Sequence, residues 1–318
     1  MLMFYKKTDM DQEIKEDDWR FKSELFGDFK DWRYLEWKYF SFDSPEAQGF
    51  FCYSVGNPKN ILGLRKQIIS YAIYQNGKRE SGMFESKKKH SNLSDEKKWI
   101  FGNFSIQKKE NSWIISGTSK QIDWELTFEC MSKGKKLEVF EKEKKKRWMD
   151  WEVFCNHANV VGSINIPNKR IEIVGDGYYD SNLGHWKPAK NPWIWFQFTG
   201  KLSDKDLSFT LFKPRKTGEK CILLSLDGET YQIEDFILEY DKEKNIPQSY
   251  KIISHSENID LELQVEVKDT ELLTIKVFKF IPLLHLNLLM CDFDLNIDFF
   301  GQSDRFKTRG FGEYPGSK

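Results

Sequence analysis

The sequence predicts an all-β protein made of two antiparallel barrels in tandem, and three observations carry that reading. Apolar and polar residues alternate with period two in run after run, which wets one face of a strand and packs the other. Turn signals separate the runs at roughly the 8–12-residue spacing of sandwiches and barrels. Beyond residues 1–32 no sustained i, i+3, i+4, i+7 pattern appears.

Residues 1–32 mix acidic and basic side chains around Trp19, Phe21, Leu25, Phe26 and Phe29, and read as an N-terminal arm with a helical turn or two laid over the first barrel. The clearest strand is 121–131, where Trp124, Leu126, Phe128 and Cys130 alternate with Asp123, Glu125, Thr127 and Glu129. Residues 259–267 repeat the pattern, and Leu273, Ile275 and Val277 form a third case. Further strands are expected at 101–107, 113–119, 207–212, 221–226 and 250–255. Asn76-Gly77, Lys133-Gly134, Thr217-Gly218 and Asp227-Gly228 supply turns. Two prolines in 187–192 mark a linker, so the barrels are expected over 33–190 and 191–318. A chain of 318 residues favours two domains. No short fixed period repeats, which excludes propellers and solenoids. A closed sheet has no exposed edges and can hold one ligand inside.

Lysine plus arginine number 49 and aspartate plus glutamate 49, so no net field draws in a polyanion. Aromatic residues are 15% of the chain, enough flat apolar surface for a wide core or an oily cavity. Five cysteines (Cys52, Cys130, Cys155, Cys221, Cys291) are scattered without a C-x-x-C, which fits reduced, buried thiols. The N-terminus lacks a signal-peptide apolar stretch, and the apolar run 280–290 is short and broken by Pro282, His285 and Asn287. A soluble, cytoplasmic protein is expected.

His90, His157, His185, His255 and His285 share no metal-ligand spacing, so no metal is expected. There is no phosphate-binding G-x-x-x-x-G-K-[ST] and no G-x-S-x-G elbow. The basic segment 142–147 is interleaved with Glu138, Glu141 and Glu143 and reads as a solvated hairpin tip, not a nucleic-acid site.

Residues 173–195, IVGDGYYDSNLGHWKPAKNPWIW, stand apart. Gly175, Gly177 and Gly184 read as a bend between two apolar runs. The plainer alternative is a turn whose Asp and Asn cap the backbone while its rings fill a barrel mouth.

GDGYYDSNLGHW resembles the Gly-x-Gly-Tyr-x-Asp-His-Asn-Trp-Gly signature of carotenoid 1,2-hydratases (hydroxyneurosporene synthases). These sit in a wider lipocalin-like group with AttH-type proteins, tocopherol cyclases and some fungal Diels–Alderases. Leu35-Glu36-Trp37-Lys38-Tyr39-Phe40-Ser41-Phe42, with Gly49-Phe50-Phe51-Cys52-Tyr53 and Gly56-Asn57-Pro58, resembles the group's early strands. Gly310-Phe311-Gly312-Glu313-Tyr314-Pro315-Gly316 resembles its closing segment. The chain departs from the pattern at Ser181, where the signature has His, at Leu183, where it has Trp, and at Lys38, where it has an aromatic residue.

The resemblance implies two tandem lipocalin-like (calycin) barrels and a hydratase, cyclase or isomerase working on an isoprenoid or polyene without metal or redox cofactor. Such chemistry needs a proton donor, rings to stabilise a cation, and control of water. A carboxyl in apolar surroundings stays protonated to higher pH, and Asp180 among Tyr178, Tyr179 and Trp186 is the expected donor. Asn182 or His185 would orient it or hold a water. Trp37, Trp186, Trp193, Trp195 and Tyr179 would offer ring faces to positive charge. Glu36 and Glu313 are further carboxyls expected at the same cavity. The expected partner is a hydrophobic small molecule, with no nucleic acid and only transient contact with a membrane surface. The competing reading is a lipid carrier without turnover.

Overall fold

A computed structural model describes residues 34–56, 66–86, 91–92, 98–132, 134–142, 147–185, 192–216, 218–241, 245–256, 258–278 and 281–316. The N-terminal arm, Trp186, His90 and most of the linker lie outside the described residues.

The architecture is all-β, with two curled antiparallel sheets in tandem. The first begins with β1 (Leu35–Asp43), β2 (Gln48–Gly56), β3 (Lys66–Gln75) and β4 (Lys78–Glu85). It continues through β5 (Ser91–Asn92), β6 (Lys98–Phe101), β7 (Phe104–Lys109), β8 (Ser112–Thr118) and β9 (Asp123–Cys130). It ends with β10 (Lys135–Lys142), β11 (Arg147–Ile166) and β12 (Lys169–Gly184). The second comprises β13 (Trp193–Leu202), β14 (Lys205–Pro214), β15 (Cys221–Leu226), β16 (Glu229–Ile233) and β17 (Ile237–Tyr240), then β18 (Ser249–His255), β19 (Ile259–Phe278), β20 (Ile281–Phe299) and β21 (Gln302–Gly316).

Strand order in the first sheet is β4-β3-β2-β1-β12-β11-β9-β8-β7-β6-β5, with β10 on β11; in the second it is β16-β15-β14-β13-β21-β20-β19-β18-β17. Both sheets therefore bring their first and last long strands together, β1 against β12 and β13 against β21. Those two seams face each other.

Alternation along the seam strands creates three apolar cores. Phe40, Phe42 and Tyr179 enter the first sheet's interior with Phe51, Trp124 and Phe128. Phe196, Phe198, Phe293 and Tyr314 enter the second. The opposite faces, carrying Trp37, Tyr39, Trp151 and Tyr178 from one side and Trp193, Trp195 and Phe311 from the other, pack between the sheets.

Several expectations change in detail. The run 101–107 is split by a turn at Gly102 and Asn103, with Gly102 at a φ of 69°. The runs at 259–267 and 273–277 join in β19, which absorbs an irregularity between Val267 and Asp269. Within 173–195, residues up to Gly184 continue a single strand instead of bending. The glycines there serve close approach: a Cβ on Gly177 would lie 2.3 Å from Val160 Cγ2 and 2.8 Å from the Ser41 carbonyl oxygen.

The five cysteines are not all free, because Cys130 and Cys155 form a disulfide with their Cα atoms 5.5 Å apart. Strand pairing unites them: Cys130 lies opposite Ala158 on β11, just past the register shift that contains Cys155. This removes the free-thiol ground for a reducing compartment. Among the described residues no helix is long and apolar enough to cross a membrane.

Candidate active site

Strand geometry divides the β12 signature between two faces, since successive side chains point in opposite directions. Tyr178, Asp180 and Asn182 face the space between the sheets, while Tyr179 and Ser181 face the first sheet's interior. On the flanking strands Asp180 lies opposite Tyr39 and Val153, and Asn182 opposite Trp37 and Trp151.

Asp180 is 2% exposed. Its Oδ2 accepts hydrogen bonds from Trp151 Nε1 and the Tyr178 hydroxyl, both at 2.8 Å. Its Oδ1 has no partner, and neither has Asn182 Oδ1. Burial raises the carboxyl's pKa to about 7 against the opposing effects of the two donors and the Lys38 charge. With Oδ2 occupied by two donors, Oδ1 is the oxygen left to carry the proton when the carboxyl is neutral.

Glu313 on β21 faces the same interface from the second sheet, opposite Trp195. Trp193 Nε1 donates to its Oε2 at 2.8 Å. Burial pushes this carboxyl up to about 8, with the Asp180 charge adding to the rise and the Trp193 donor opposing it. Rings fill the surroundings: Tyr39 meets Trp195 edge-on at 5.1 Å, and Trp37 stacks on Trp193 at 5.8 Å. Trp151 stacks on Phe212 at 5.2 Å.

The other face of the signature holds a second polar group inside the first sheet. Lys38 Nζ sits 3.1 Å from Glu36 Oε1 and donates to Ser181 Oγ at 3.1 Å, all three residues being fully buried. The Tyr34 hydroxyl donates to Glu36 Oε2 at 2.7 Å. Lys38 and Ser181 are paired in register. Two of the three departures from the hydratase pattern are therefore partners of each other.

Of the residues singled out from sequence, Trp37, Tyr178, Asp180, Asn182, Trp193, Trp195 and Glu313 share the interface. Glu36 and Tyr179 face away from it; Tyr179 stacks on Phe40 at 4.1 Å. His185, five residues beyond Asp180 on an extended chain, lies roughly 16 Å along the strand direction and is not brought to the acid. Trp186 falls outside the described residues. Sequence reasoning missed Tyr39 and Trp151. Period two places Tyr39 beside Trp37, so that signal was present; Trp151 depends on a register that no local pattern reveals.

Open volume lies farther along the same interface, in a cleft of about 1590 Å³ whose lining includes Asp43, Gln48, Tyr74 and Arg309 but not Asp180 or Glu313. A hollow around Asp180 was expected; there the rings meet one another.

Against known proteins, the sequence matches no family and no characterised protein significantly. Solved structures do match. Kievitone hydratase from Nectria haematococca superposes with a TM-score of 0.58 at 12% identity, over 89% of each chain.

In fold, the chain resembles kievitone hydratase.

CghA in complex with Sch210972 gives a TM-score of 0.59 at 9% identity, covering 89% of this chain and 88% of that one. At these identities the likeness to kievitone hydratase and CghA is one of fold, the tandem lipocalin-like arrangement of two half-barrels. Within that frame the interface holds a buried carboxyl, Asp180, whose Oδ1 is unpartnered among aromatic rings. It can also hold positive charge against aromatic faces, at roughly 0.5–2 kcal/mol per well-placed ring.

Proposed function

We propose that the protein is a hydratase, cyclase or isomerase of a hydrophobic isoprenoid or polyene, and that Asp180 protonates an alkene carbon. One observation carries this reading: a fully enclosed carboxyl with one oxygen held by two donors and the other unpartnered, among rings. The alkene π pair takes the Oδ1 proton, leaving a carbocation and the Asp180 carboxylate. Trp37, Trp195 and Tyr39 are the rings that would stabilise such a cation. Asn182 Oδ1 is an acceptor that a water molecule would satisfy, which favours hydration within this set. The hydratase activity that names kievitone hydratase, together with the resemblance to carotenoid 1,2-hydratases, supports the same class.

Incubating the protein with candidate polyenes and reading products by mass spectrometry tests the proposal. A product one water heavier, or an isomer, formed by the parent and lost in Asp180→Asn supports it. Turnover unchanged in Asp180→Asn removes the residue from the role. A second reading, carriage without turnover, draws on the wide cleft, where a ligand can lodge without touching Asp180. Binding without any product would favour it.

A further inference from the structure

Asp180 is enclosed where rings from the two sheets meet, and the wide cleft stops short of it, so a ligand reaches it only when the sheets part. Beside the acid, β11 of the first sheet grips the second at two levels. Trp151, the donor to Asp180, stacks on Phe212 of β14 at 5.2 Å. Five residues farther along β11, the fully buried Asn156 directs its whole amide at the second sheet. Its Nδ2 donates to Ser225 Oγ at 2.8 Å and to the Leu223 carbonyl oxygen at 3.4 Å, and its Oδ1 accepts from Thr210 Oγ1 at 2.7 Å. Its carbonyl oxygen accepts from Ser208 Oγ. Buried polar groups are costly to leave without partners, so this junction holds as a unit.

A covalent bond pins the segment that presents Asn156. Register shifts on both sides of Cys155, between Val153 and Cys155 and between Cys155 and Ala158, interrupt the alternation of β11. Cys155 is bonded there to Cys130 at the end of β9. Backbone bonds join the same two segments: Met131 N donates to the His157 carbonyl oxygen and His157 N to Ser132 Oγ, both at 2.9 Å.

The pair is also accommodated in its reduced form. Cys130 Sγ lies 3.2 Å from the Ser132 carbonyl oxygen and 3.4 Å from that of Phe154, and Cys155 Sγ lies 3.1 Å from that of His157. Each thiol would therefore find an acceptor already in place. Cys130 is partly exposed, whereas Cys155 is buried. A dithiol reductant attacks Cys130 Sγ as a thiolate; the bond to Cys155 breaks, and the Cys155 sulfur takes up a proton. The reductant's second thiolate then attacks its own sulfur in the mixed disulfide, releasing Cys130 as a thiol and leaving the reductant as a cyclic disulfide.

We propose that the Cys130–Cys155 bond is a redox-controlled catch on the interface. Oxidised, it holds Asn156 against β14 and β15 and keeps the sheets closed over Asp180; reduced, it lets this junction part and admits ligand to the acid. The bearing on turnover rests on the proton-donor reading of Asp180; the catch itself does not.

Two free cysteines make the opening measurable. Cys221, opposite Phe212, is buried between the sheets, whereas Cys291 is buried in the second sheet's own core. Parting of the sheets exposes the first alone; unfolding exposes both. The full chain, oxidised or treated with dithiothreitol that is then removed, is labelled with N-ethylmaleimide, and peptide mass spectrometry reads the rate at each cysteine. Reduction should raise the ratio of the Cys221 rate to the Cys291 rate about tenfold, the size expected for losing one or two buried hydrogen bonds. Re-oxidation should restore it. Asn156→Ala should raise the ratio with the disulfide intact, and Cys130→Ala/Cys155→Ala should keep it high with or without reductant. A ratio unmoved by reduction, whether both rates rise together or neither does, overturns the catch. A ratio unmoved in Asn156→Ala removes that residue from it. Asp180→Asn should respond to reduction as the parent does, so a failure of the catalytic reading is separable from a failure of this one.

Discussion

Replacing Asp180 by asparagine should stabilise the folded chain at alkaline pH, although it removes the proposed proton donor. The carboxyl's folded pKa of about 7 lies above its ordinary value of 3.8. Between these values the folded chain binds a proton that the unfolded chain has released. Its stabilising contribution is therefore complete below pH 3.8 and is lost as pH rises through about 7. Three pKa units at 1.36 kcal/mol each correspond to about 4 kcal/mol. Asparagine keeps the shape of the neutral acid, and its carbonyl oxygen can still accept from Trp151 and Tyr178. Denaturant unfolding of both proteins from pH 4 to 8.5 should give nearly equal stability at the acid end. The variant should gain progressively to about 4 kcal/mol above pH 8. A difference independent of pH, or an asparagine variant less stable at pH 8, would refute the reasoning.

Glu313→Gln should behave in the same sense with its gain displaced upward, since that carboxyl releases its proton at about 8; the same unfolding series reads it. Lys38→Met strands the Glu36 carboxylate inside the first sheet and should cost about 3–5 kcal/mol. Glu36→Gln added to Lys38→Met should restore part of the loss, and a double variant no better than the single would show the pair is not coupled. Reducing the Cys130–Cys155 bond, which closes a 25-residue separation, should destabilise the fold by about 3 kcal/mol. Intact mass with and without reductant should differ by two hydrogens.

Much of the fold was readable because alternation is local. The strand around Trp124, Leu126 and Phe128 follows from period two alone, and β15 occupies the expected 221–226. Turns at Asn76-Gly77 and Asp227-Gly228 follow from their residue types. What failed was non-local. Residues 173–184 looked like a bend because glycine permits one; their actual demand is room for Ser41 and Val160 on neighbouring strands. Cys130 and Cys155 meet through β9–β11 pairing, which spacing in sequence conceals. In the candidate site Asp180, Glu313 and four ring residues were identifiable by type. Their separation from Glu36 and Tyr179 was not drawn, although alternation along β1 and β12 contains it. Trp151 could be assigned to Asp180 only once β11 was in register.

The proposed chemistry requires a carboxyl between the two sheets that keeps its proton near neutral pH. Infrared difference spectroscopy, following the protonated carboxyl C=O band from pH 5 to 9, reads that state directly. A band should titrate near pH 7 and be missing in Asp180→Asn, while a second, from Glu313, should persist to about pH 8. Spectra without a protonated carboxyl above pH 6, or a neutral-pH band unaffected by Asp180→Asn, would contradict it.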